Sequence, residues 1–254
     1  MLQAKRQLSQ IVAVVSLFLG VGAIAQRSPP PDEASIALEK SIVTEHEPVI
    51  LDIRFQSPPS TSLDFDPGYD WRNVWVKVVD PSGHAWERSP EVPQEGMKFS
   101  NAVHVDAGTE RTISVVADEW FSFGEQGLYQ IDVVLRGFPS RVSAKLSLRV
   151  EPRDNDALKA ACSGLLARVN GSESFAASLV AAKALSIVKD PVAIPYLAEA
   201  MKRREFVSLM IGALAQLKTN DAVDALIEAS KSSDPETRGM ALSALVSLHR
   251  VNER

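Results

Sequence analysis

The chain has 254 residues, of which 45% are hydrophobic and 23% charged, and its formal net charge is −5. This composition is typical of a folded protein, and the length predicts one large or two modest domains. The acidic balance argues against a nucleic-acid partner, because phosphate binding needs concentrated lysine and arginine.

The first 26 residues differ from the rest of the chain. Lys5 and Arg6 precede the apolar run IVAVVSLFLGVGAIA, which ends at Ala25. A basic start, an apolar centre and an A-x-A exit are the parts of a secretory signal peptide, so we predict that residues 1–25 are cleaved. An uncleaved anchor is the weaker interpretation, because the run is shorter than the roughly 20 residues of a spanning helix.

Export changes the charge and limits how the chain is stabilised. Removing residues 1–25 takes away two positive charges and no acid, so the net charge moves from −5 to −7. Cys162 is the sole cysteine and has no disulfide partner, so stability must come from core packing alone or from a bound metal. Scattered histidines argue against metal, and we expect no cofactor. We expect a periplasmic, cell-surface or secreted protein with no membrane span after cleavage.

Residues 26–34 form a proline-rich spacer, and residues 35–153 show the hydrophobic period of two that is typical of strands. NVWVKVVD and RTISVVAD are two further candidates, and DPSGH is one of several turn clusters. The sequence predicts a β-sandwich here. The residues expected to face inward are Val49, Leu51, Ile53 and Phe55, then Tyr129, Ile131, Val133 and Leu135, and finally Val142, Ala144, Leu146, Leu148 and Val150.

The segment EQGLYQIDVVL resembles the F strand of an immunoglobulin-like domain, with Tyr129 at the tyrosine-corner position. Ile131 stands where antibodies have the second disulfide cysteine. PVILDIRF resembles strand B, with Leu51 or Ile53 in place of the other cysteine, and Trp75 matches the core tryptophan of strand C. The resemblance implies a disulfide-free sandwich similar to bacterial immunoglobulin-like modules, which act as spacers or docking domains.

Residues 154–254 change to a helical period rich in alanine and leucine. Asp190-Pro191 and Asp234-Pro235 each place a capping acid before a proline at the first helical position. Six amphipathic segments are predicted as helices: DALKAACSGLLARV, ESFAASLVAAKALSIV, PVAIPYLAEAMKRR, EFVSLMIGALAQL, AVDALIEASK and PETRGMALSALVSLHR.

The helical segments repeat with a period near 30 residues. Seven positions line up with an identical or similar residue 29 residues later. They are Ala184, Leu185, Val188, Lys189, Ala193, Ile194 and Leu197, which line up with Ala213, Leu214, Leu217, Lys218, Ala222, Val223 and Leu226. A third copy begins at Ala244-Leu245. Such a period predicts a helical solenoid, with a helical bundle as the weaker alternative. DPETRGMALSALVSL resembles the first helix of a HEAT repeat, which implies an α-helical HEAT-like solenoid. Whether residues 155–172 form a repeat or a cap stays open.

A helix pair of this kind buries its apolar face by stacking and leaves second-helix side chains along one surface. We therefore predict a non-catalytic scaffold that binds another envelope or extracellular protein through its helical repeats. The fold class is a multidomain β + α chain. The contact residues that we predict on the second helices are Tyr196, Glu199, Lys202, Arg203, Asp224 and Glu228.

Catalytic and metal-binding patterns are weak in this sequence. No G-x-S-x-G motif occurs, and Cys162 is expected to be a small core residue. TEHEPV lacks the second histidine of a zinc helix, and DFDPGYD lacks the spacing of a calcium-binding EF-hand loop. We predict no catalytic residue and no metal site. An atypical enzyme that uses a carboxylate pair stays open, because the sequence does not show which acids converge.

All four tryptophans lie in the β half, which leaves a second function open. Exposed aromatic faces stack on sugar rings, so a carbohydrate-binding sandwich carried on a helical spacer is the alternative. It would use Trp71, Trp86 and Trp120. Core packing is the favoured interpretation of these aromatics, because sandwich interiors are rich in them.

Overall fold

The computed structural model describes residues 34–65, 73–88, 103–136, 142–171 and 174–252. A β-rich first half is followed by a helical second half, as the sequence predicted. The last strand ends at Glu151 and the first helix begins at Asn155. The predicted signal peptide (1–25), all of the predicted spacer except Ala34, and Trp71 lie outside the described residues.

The described ranges contain ten strands. They are β1 (Ala34–Leu38), β2 (Ile42–Thr44), β3 (Ile50–Gln56), β4 (Leu63–Phe65), β5 (Val74–Val79), β6 (Ala85–Glu87), β7 (Val103–Val105), β8 (Glu110–Val116), β9 (Gly127–Leu135) and β10 (Val142–Glu151).

In this part of the chain, β2, β10, β9, β5 and β6 form one sheet in that order, and β1, β3 and β8 form a second. A short ladder joins β4 to β7. Among the described strands only β2 and β10 pair in parallel, with Val43 opposite Val150. β2 thus bonds to the strand that leads into the helices.

The sheets share one hydrophobic core, because their strands bury alternate residues. Phe55 and Val133 are completely buried, and Leu51 and Ile131 are nearly so. Ala144 and Leu146 are partly buried against the same core. The inward faces predicted for β3, β9 and β10 are therefore confirmed. Leu148 of β10 lies opposite Tyr129 of β9, so the register places large side chains side by side.

Trp75 does not lie in this core, so its prediction as the core tryptophan is wrong. β5 buries Val74, Val76 and Val78, and the strand period then turns Trp75 to the outer face. There its indole Nε1 donates a hydrogen bond to Glu87, with a nitrogen–oxygen distance of 2.6 Å.

The described helices are α1 (Asn155–Gly171), α2 (Phe175–Ile187), α3 (Ile194–Ala200), α4 (Val207–Leu217), α5 (Asn220–Ala229) and α6 (Pro235–Asn252). The predicted caps are confirmed. Asp190 accepts a hydrogen bond from the Val192 amide at 2.9 Å, in the 3-10 turn that leads into α3. Asp234 accepts one from the Thr237 amide at 2.9 Å, in the first turn of α6.

The helices pack in two layers. α1, α3 and α5 lie side by side, as do α2, α4 and α6, and consecutive helices pack across the layers. Residues that the sequence placed at equivalent repeat positions are buried alike: Leu185 and Leu214 are both fully buried, as are Leu197 and Leu226. Leu245, the third copy, is only partly buried. The packing therefore follows the 29-residue spacing.

Candidate functional site

The two halves meet at a junction that contains polar groups buried from water. Thr44, at the end of β2, is almost completely buried, and its hydroxyl donates to the Pro152 carbonyl oxygen at 2.9 Å. The same hydroxyl oxygen accepts a hydrogen bond from the Asp154 amide at 2.7 Å. One side chain thus fixes both ends of the connection between β10 and α1.

Arg153 extends this junction into the helical half. Its Nε lies 2.5 Å and its Nη2 3.1 Å from the two carboxylate oxygens of Asp190, which is 3% exposed. The hydrogen bond from Arg153 lowers the pKa of Asp190, and the amide of Val192 lowers it further. A bidentate pair of this kind orients the connection relative to α3.

Apolar packing joins the halves as well. Ile50 of β3 and Val116 of β8 are register partners, yet both are buried in the core formed by the helices. Two ion pairs flank them: Lys183 with Glu119 at 2.8 Å, and Arg168 with Glu39 at 2.9 Å. Ion pairs that are exposed to solvent add little stability. The packing around Ile50 and Val116 therefore contributes more than these ion pairs to the attachment of the two halves.

Asp118 lies at the same junction, in a 3-10 turn after β8. Its carboxylate accepts a hydrogen bond from the Val49 amide at 2.6 Å. Burial raises the pKa of Asp118 from 3.8 to about 7, although the Val49 hydrogen bond and the charge of Lys189 oppose that rise. Asp118 could not be identified from the sequence, because nothing local distinguishes it from a surface aspartate.

A cleft of about 190 Å³ opens between the β1–β3 region and α1. Its floor is apolar and its walls carry the Arg168–Glu39 pair and Lys40, which lies 2.5 Å from Glu47. Glu47 is 8% exposed and also accepts a hydrogen bond from the Thr44 amide at 3.1 Å. The four charged side chains of this cleft therefore form two ion pairs, Arg168 with Glu39 and Lys40 with Glu47.

The predicted contact residues divide between α3, the turn that follows it, and α5. Asp224 and Glu228 on α5 are exposed. Glu199 and Lys202 pair with each other at 2.7 Å, and Glu228 pairs with Lys231 at 2.8 Å. Tyr196 is half-buried against the helical core. The structure thus brings the predicted residues to neighbouring helices, with much of their charge paired locally.

Arg203 has a structural role that the sequence did not reveal. Its Nη1 donates to the Val169 carbonyl oxygen at 2.7 Å, near the end of α1, and its guanidinium lies 5.6 Å from the centre of the Phe206 ring. It also pairs with Glu205 at 3.2 Å. Arg203 is therefore engaged within the helical half.

The two described tryptophans of the proposed sugar site differ in exposure. Trp86 is 55% exposed, and its ring lies 4.4 Å from that of His84. Trp120 is partly buried against the sheet core, and the guanidinium of Arg88 lies 4.2 Å from its ring centre. Trp86 is thus the exposed aromatic among the described residues of the proposed sugar site.

The structure describes Cys162 and some of the acidic and histidine side chains that were weighed as metal ligands. Among the described residues, no group of three or more His, Cys, Asp or Glu side chains is placed to hold a metal ion. Asp64 lies 2.6 Å from Nδ1 of His104, and Asp66 and Asp70 lie outside the described ranges. Cys162 is fully buried in the helical core, where burial raises the pKa of its thiol to about 11.

No described helix is long and apolar enough to cross a bilayer.

The outer row of α6 differs from the same row of α4. Ile211 of α4 is 4% exposed, whereas Leu242, its equivalent 31 residues later, is 50% exposed. Val246, the equivalent of the half-buried Ala215, is also 50% exposed. α6 therefore presents an apolar row at positions that are largely buried in α4.

No protein-family model matches the sequence, and no curated protein matches it. A mutant β-glucosidase from Listeria innocua in complex with laminaribiose is 10% identical, with a TM-score of 0.29, over 47% of this chain and 16% of that one. A sporulation control protein from Bacillus subtilis is 10% identical, with a TM-score of 0.25, over 53% of this chain and 54% of that one.

A third solved structure is Astrotactin-2, a vertebrate-specific, perforin-like membrane protein involved in neuronal development. It is 11% identical, with a TM-score of 0.25, over 84% of this chain and 38% of that one. This chain spans only part of each of these three proteins. TM-scores at this level carry no argument about fold or function.

Proposed function

We propose that this chain is a non-catalytic, exported scaffold that binds another protein of the cell envelope or extracellular space through its helical half. In this proposal the helices form a HEAT-like solenoid and the β half is an immunoglobulin-like sandwich. The N-terminal signal peptide directs the chain out of the cytoplasm, and the solenoid carries the partner-binding surface.

The observation that carries the proposal is the equivalent burial of repeated residues. Leu185 and Leu214 are fully buried in successive helices of one layer, and Leu197 and Leu226 are fully buried in the other. A stack built from such units shares one continuous core and exposes rows of side chains along its length, which suits it to binding extended surfaces of other chains.

Tyr129 supports the immunoglobulin-like part of the proposal. The side chain is 1% exposed, and its hydroxyl donates to the Glu125 carbonyl oxygen at 3.0 Å. The same hydroxyl oxygen accepts a hydrogen bond from the Glu125 amide at 2.9 Å. A buried tyrosine bonded to the backbone a few residues upstream is the tyrosine-corner arrangement of these sandwiches.

The junction supports a scaffold in which the two halves keep a fixed relative orientation. Thr44, the Arg153–Asp190 pair and the packing of Ile50 each connect a strand or its exit to the helices. A partner held by the helices would therefore be presented at a defined position relative to the sheets.

Affinity capture with matched variants tests the proposal. The chain, expressed with its own signal peptide in an exporting host, is compared with Asp224→Arg/Glu228→Arg and with Trp86→Ala as baits for envelope proteins. We expect a specific protein to be retained by the wild-type chain and by Trp86→Ala, and to be lost with the α5 double variant.

Other outcomes point to other functions. Loss of binding with Trp86→Ala alone, together with elution by soluble polysaccharide, would favour the carbohydrate-binding alternative. A chain recovered from the cytoplasm with residues 1–25 intact would contradict export. Retention of no protein by any bait would contradict the scaffold proposal itself.

A further inference from the structure

A groove runs between α2 and α4 on the layer opposite the predicted contact surface. Two adjoining hollows of about 340 and 380 Å³ share Ser186, Ala213 and Gln216 and open to solvent along the helices. Their size lies in the range of ligand-binding pockets, about 300–1,000 Å³. No residue of this groove belongs to the contact surface predicted on α3 and α5.

Two lysines stand at one end of the groove. Lys189 and Lys218 follow α2 and α4 at equivalent repeat positions, and both line the smaller hollow. Both are exposed. The charge of Lys189 also acts on the buried Asp118 at the junction, where it lowers the pKa of that carboxyl. The other charged side chains of the groove are already paired, Lys183 with Glu119 and Glu205 with Arg203.

The backbone at Lys218 favours a different residue. Lys218 has a φ of 52°, in the left-handed region at the end of α4. Glycine is the common residue at this position of a helix end, because a side chain there is strained. The chain nevertheless has a lysine at this position, as it does at the equivalent Lys189.

Apart from Gln216 and the paired Lys183 and Glu205, the remaining side chains that line the groove are apolar or small. Leu179 and Leu209 line one hollow and Leu217 the other, and Gly212 lies between the helices. A Cβ added at Gly212 would meet nothing within 4 Å, so the groove is open above it. The groove therefore offers a ligand an apolar surface beside two exposed lysines.

We propose that this groove binds an acidic segment of a partner polypeptide. Carboxylates of the segment pair with Lys189 and Lys218, and its apolar side chains pack over Gly212 against Leu179 and Leu209. The ends of α2 and α4 present partial negative charges of about half a unit each, which the two full lysine charges outweigh. The inference rests on the proposed function and adds to it a binding groove and the chemistry of the partner.

A polypeptide fits these observations better than a simple anion. A phosphate or sulfate would use the lysines but leave the leucines and the open surface above Gly212 uncovered. A segment with both carboxylates and large apolar side chains covers both, which is how helices and extended peptides bind apolar grooves.

Peptide selection tests the proposal. A phage library of short random peptides is selected on the intact wild-type chain and counter-selected on Gly212→Leu. This substitution fills the groove and removes a mid-helix glycine, so the helix is kept. We expect enriched peptides to combine Asp or Glu with large apolar residues. A synthetic copy should bind at least about tenfold more weakly to Gly212→Leu and to Lys189→Glu/Lys218→Glu.

Matched controls separate the groove from general effects. Gly239→Leu makes the same change in α6, where an added Cβ also meets nothing within 4 Å, and it should leave peptide affinity unchanged. Lys145→Glu/Lys159→Glu reverses two exposed lysines outside both the groove and the predicted contact surface, and it should also leave peptide affinity unchanged. Enrichment of basic peptides, an equal loss with Gly239→Leu, or no peptide sensitive to Gly212→Leu would overturn the proposal.

The envelope-capture experiment distinguishes this inference from the proposed function. If the retained protein is lost with Gly212→Leu, the groove is its binding site. If it is kept with Gly212→Leu but lost with Asp224→Arg/Glu228→Arg, the scaffold function stands and the groove proposal fails.

Discussion

The β half and the helical half of this molecule bury their apolar residues under different rules. In the sheets, each inward residue occupies a position that occurs once, such as Phe55 or Val133 in the shared core. In the helices, one position recurs along the sequence: Leu185 and Leu214 are both fully buried, whereas Leu245 at the equivalent position is only partly buried. The helical half therefore contains its own internal controls, whereas a core substitution in the sheets has no equivalent elsewhere in the chain.

The largest expected effect uses this repetition. Leu214→Ala should lower the free energy of unfolding by about 2–5 kcal/mol, because it removes a fully buried side chain and leaves a cavity. Leu245→Ala, the same change at the partly buried equivalent position, should cost less than half as much. Urea unfolding monitored by circular dichroism measures both, and equal costs would contradict the graded burial of the repeat.

The second prediction concerns Asp118, the buried carboxyl at the junction between the β half and the helical half. Its folded-state pKa of about 7 lies above the ordinary 3.8, so between these values the folded state holds a proton that the unfolded state has lost. Stability from this group is full below about pH 4 and is lost as the pH rises through about 7, an effect of about 2–4 kcal/mol. Asp118→Asn keeps an acceptor for the Val49 amide and should flatten this dependence.

Measured unfolding free energies at several pH values, for wild type and Asp118→Asn, check that prediction. Asp221→Asn on the exposed start of α5 is the matched control and should follow the wild-type curve. Parallel curves for wild type and Asp118→Asn would show that the carboxylate at position 118 titrates normally.

Thr44→Val should have a smaller effect at the same junction. The substitution keeps the shape of the side chain but removes the hydroxyl that bonds to Pro152 and Asp154. Leaving buried backbone groups without a partner should cost about 1–2 kcal/mol. Thr112→Val, on the exposed part of β8, provides the control. A loss no greater than that of Thr112→Val would mean that the connection does not depend on this hydroxyl.

Lys218→Gly should give the smallest change, and it should stabilise. Glycine accepts the left-handed backbone at the end of α4 without strain, for a gain of up to about 1 kcal/mol. Lys189→Gly, at the equivalent position without positive φ, should instead destabilise slightly. Thermal unfolding of both variants measures the difference, and a destabilised Lys218→Gly would contradict the strain at this position.

Much of the internal pattern of both halves could be predicted from the sequence. A period of two predicted which residues of β3, β9 and β10 face inward, because strand geometry fixes that alternation. The acids before Pro191 and Pro235 predicted helix starts, because their caps are local. The repeat predicted equivalent burial, since Leu185 and Leu214 each follow an alanine and each stand four residues before a lysine.

The long-range arrangement could not be predicted in this way. Pairing of β2 with β10 joins segments about one hundred residues apart, and no local pattern specifies it. Trp75 was assigned to the core by resemblance, yet the valines beside it fix the opposite face. Ile50 and Val116 did carry a signal: each is apolar at the out-of-phase position of its strand, as expected where a second core covers the outer face.

The exposed row of Leu242 and Val246 on α6 is a surface on which further helices could be added by engineering. Leu242 and Val246 are exposed on α6, whereas the equivalent positions of α4 are covered by neighbouring helices. An engineered helix pair with the 29-residue spacing could therefore pack against this row. In the proposed solenoid, helix pairs could be added one at a time without changing the sheets or their junction, so the length of the helical half and its orientation relative to the sheets could be varied separately.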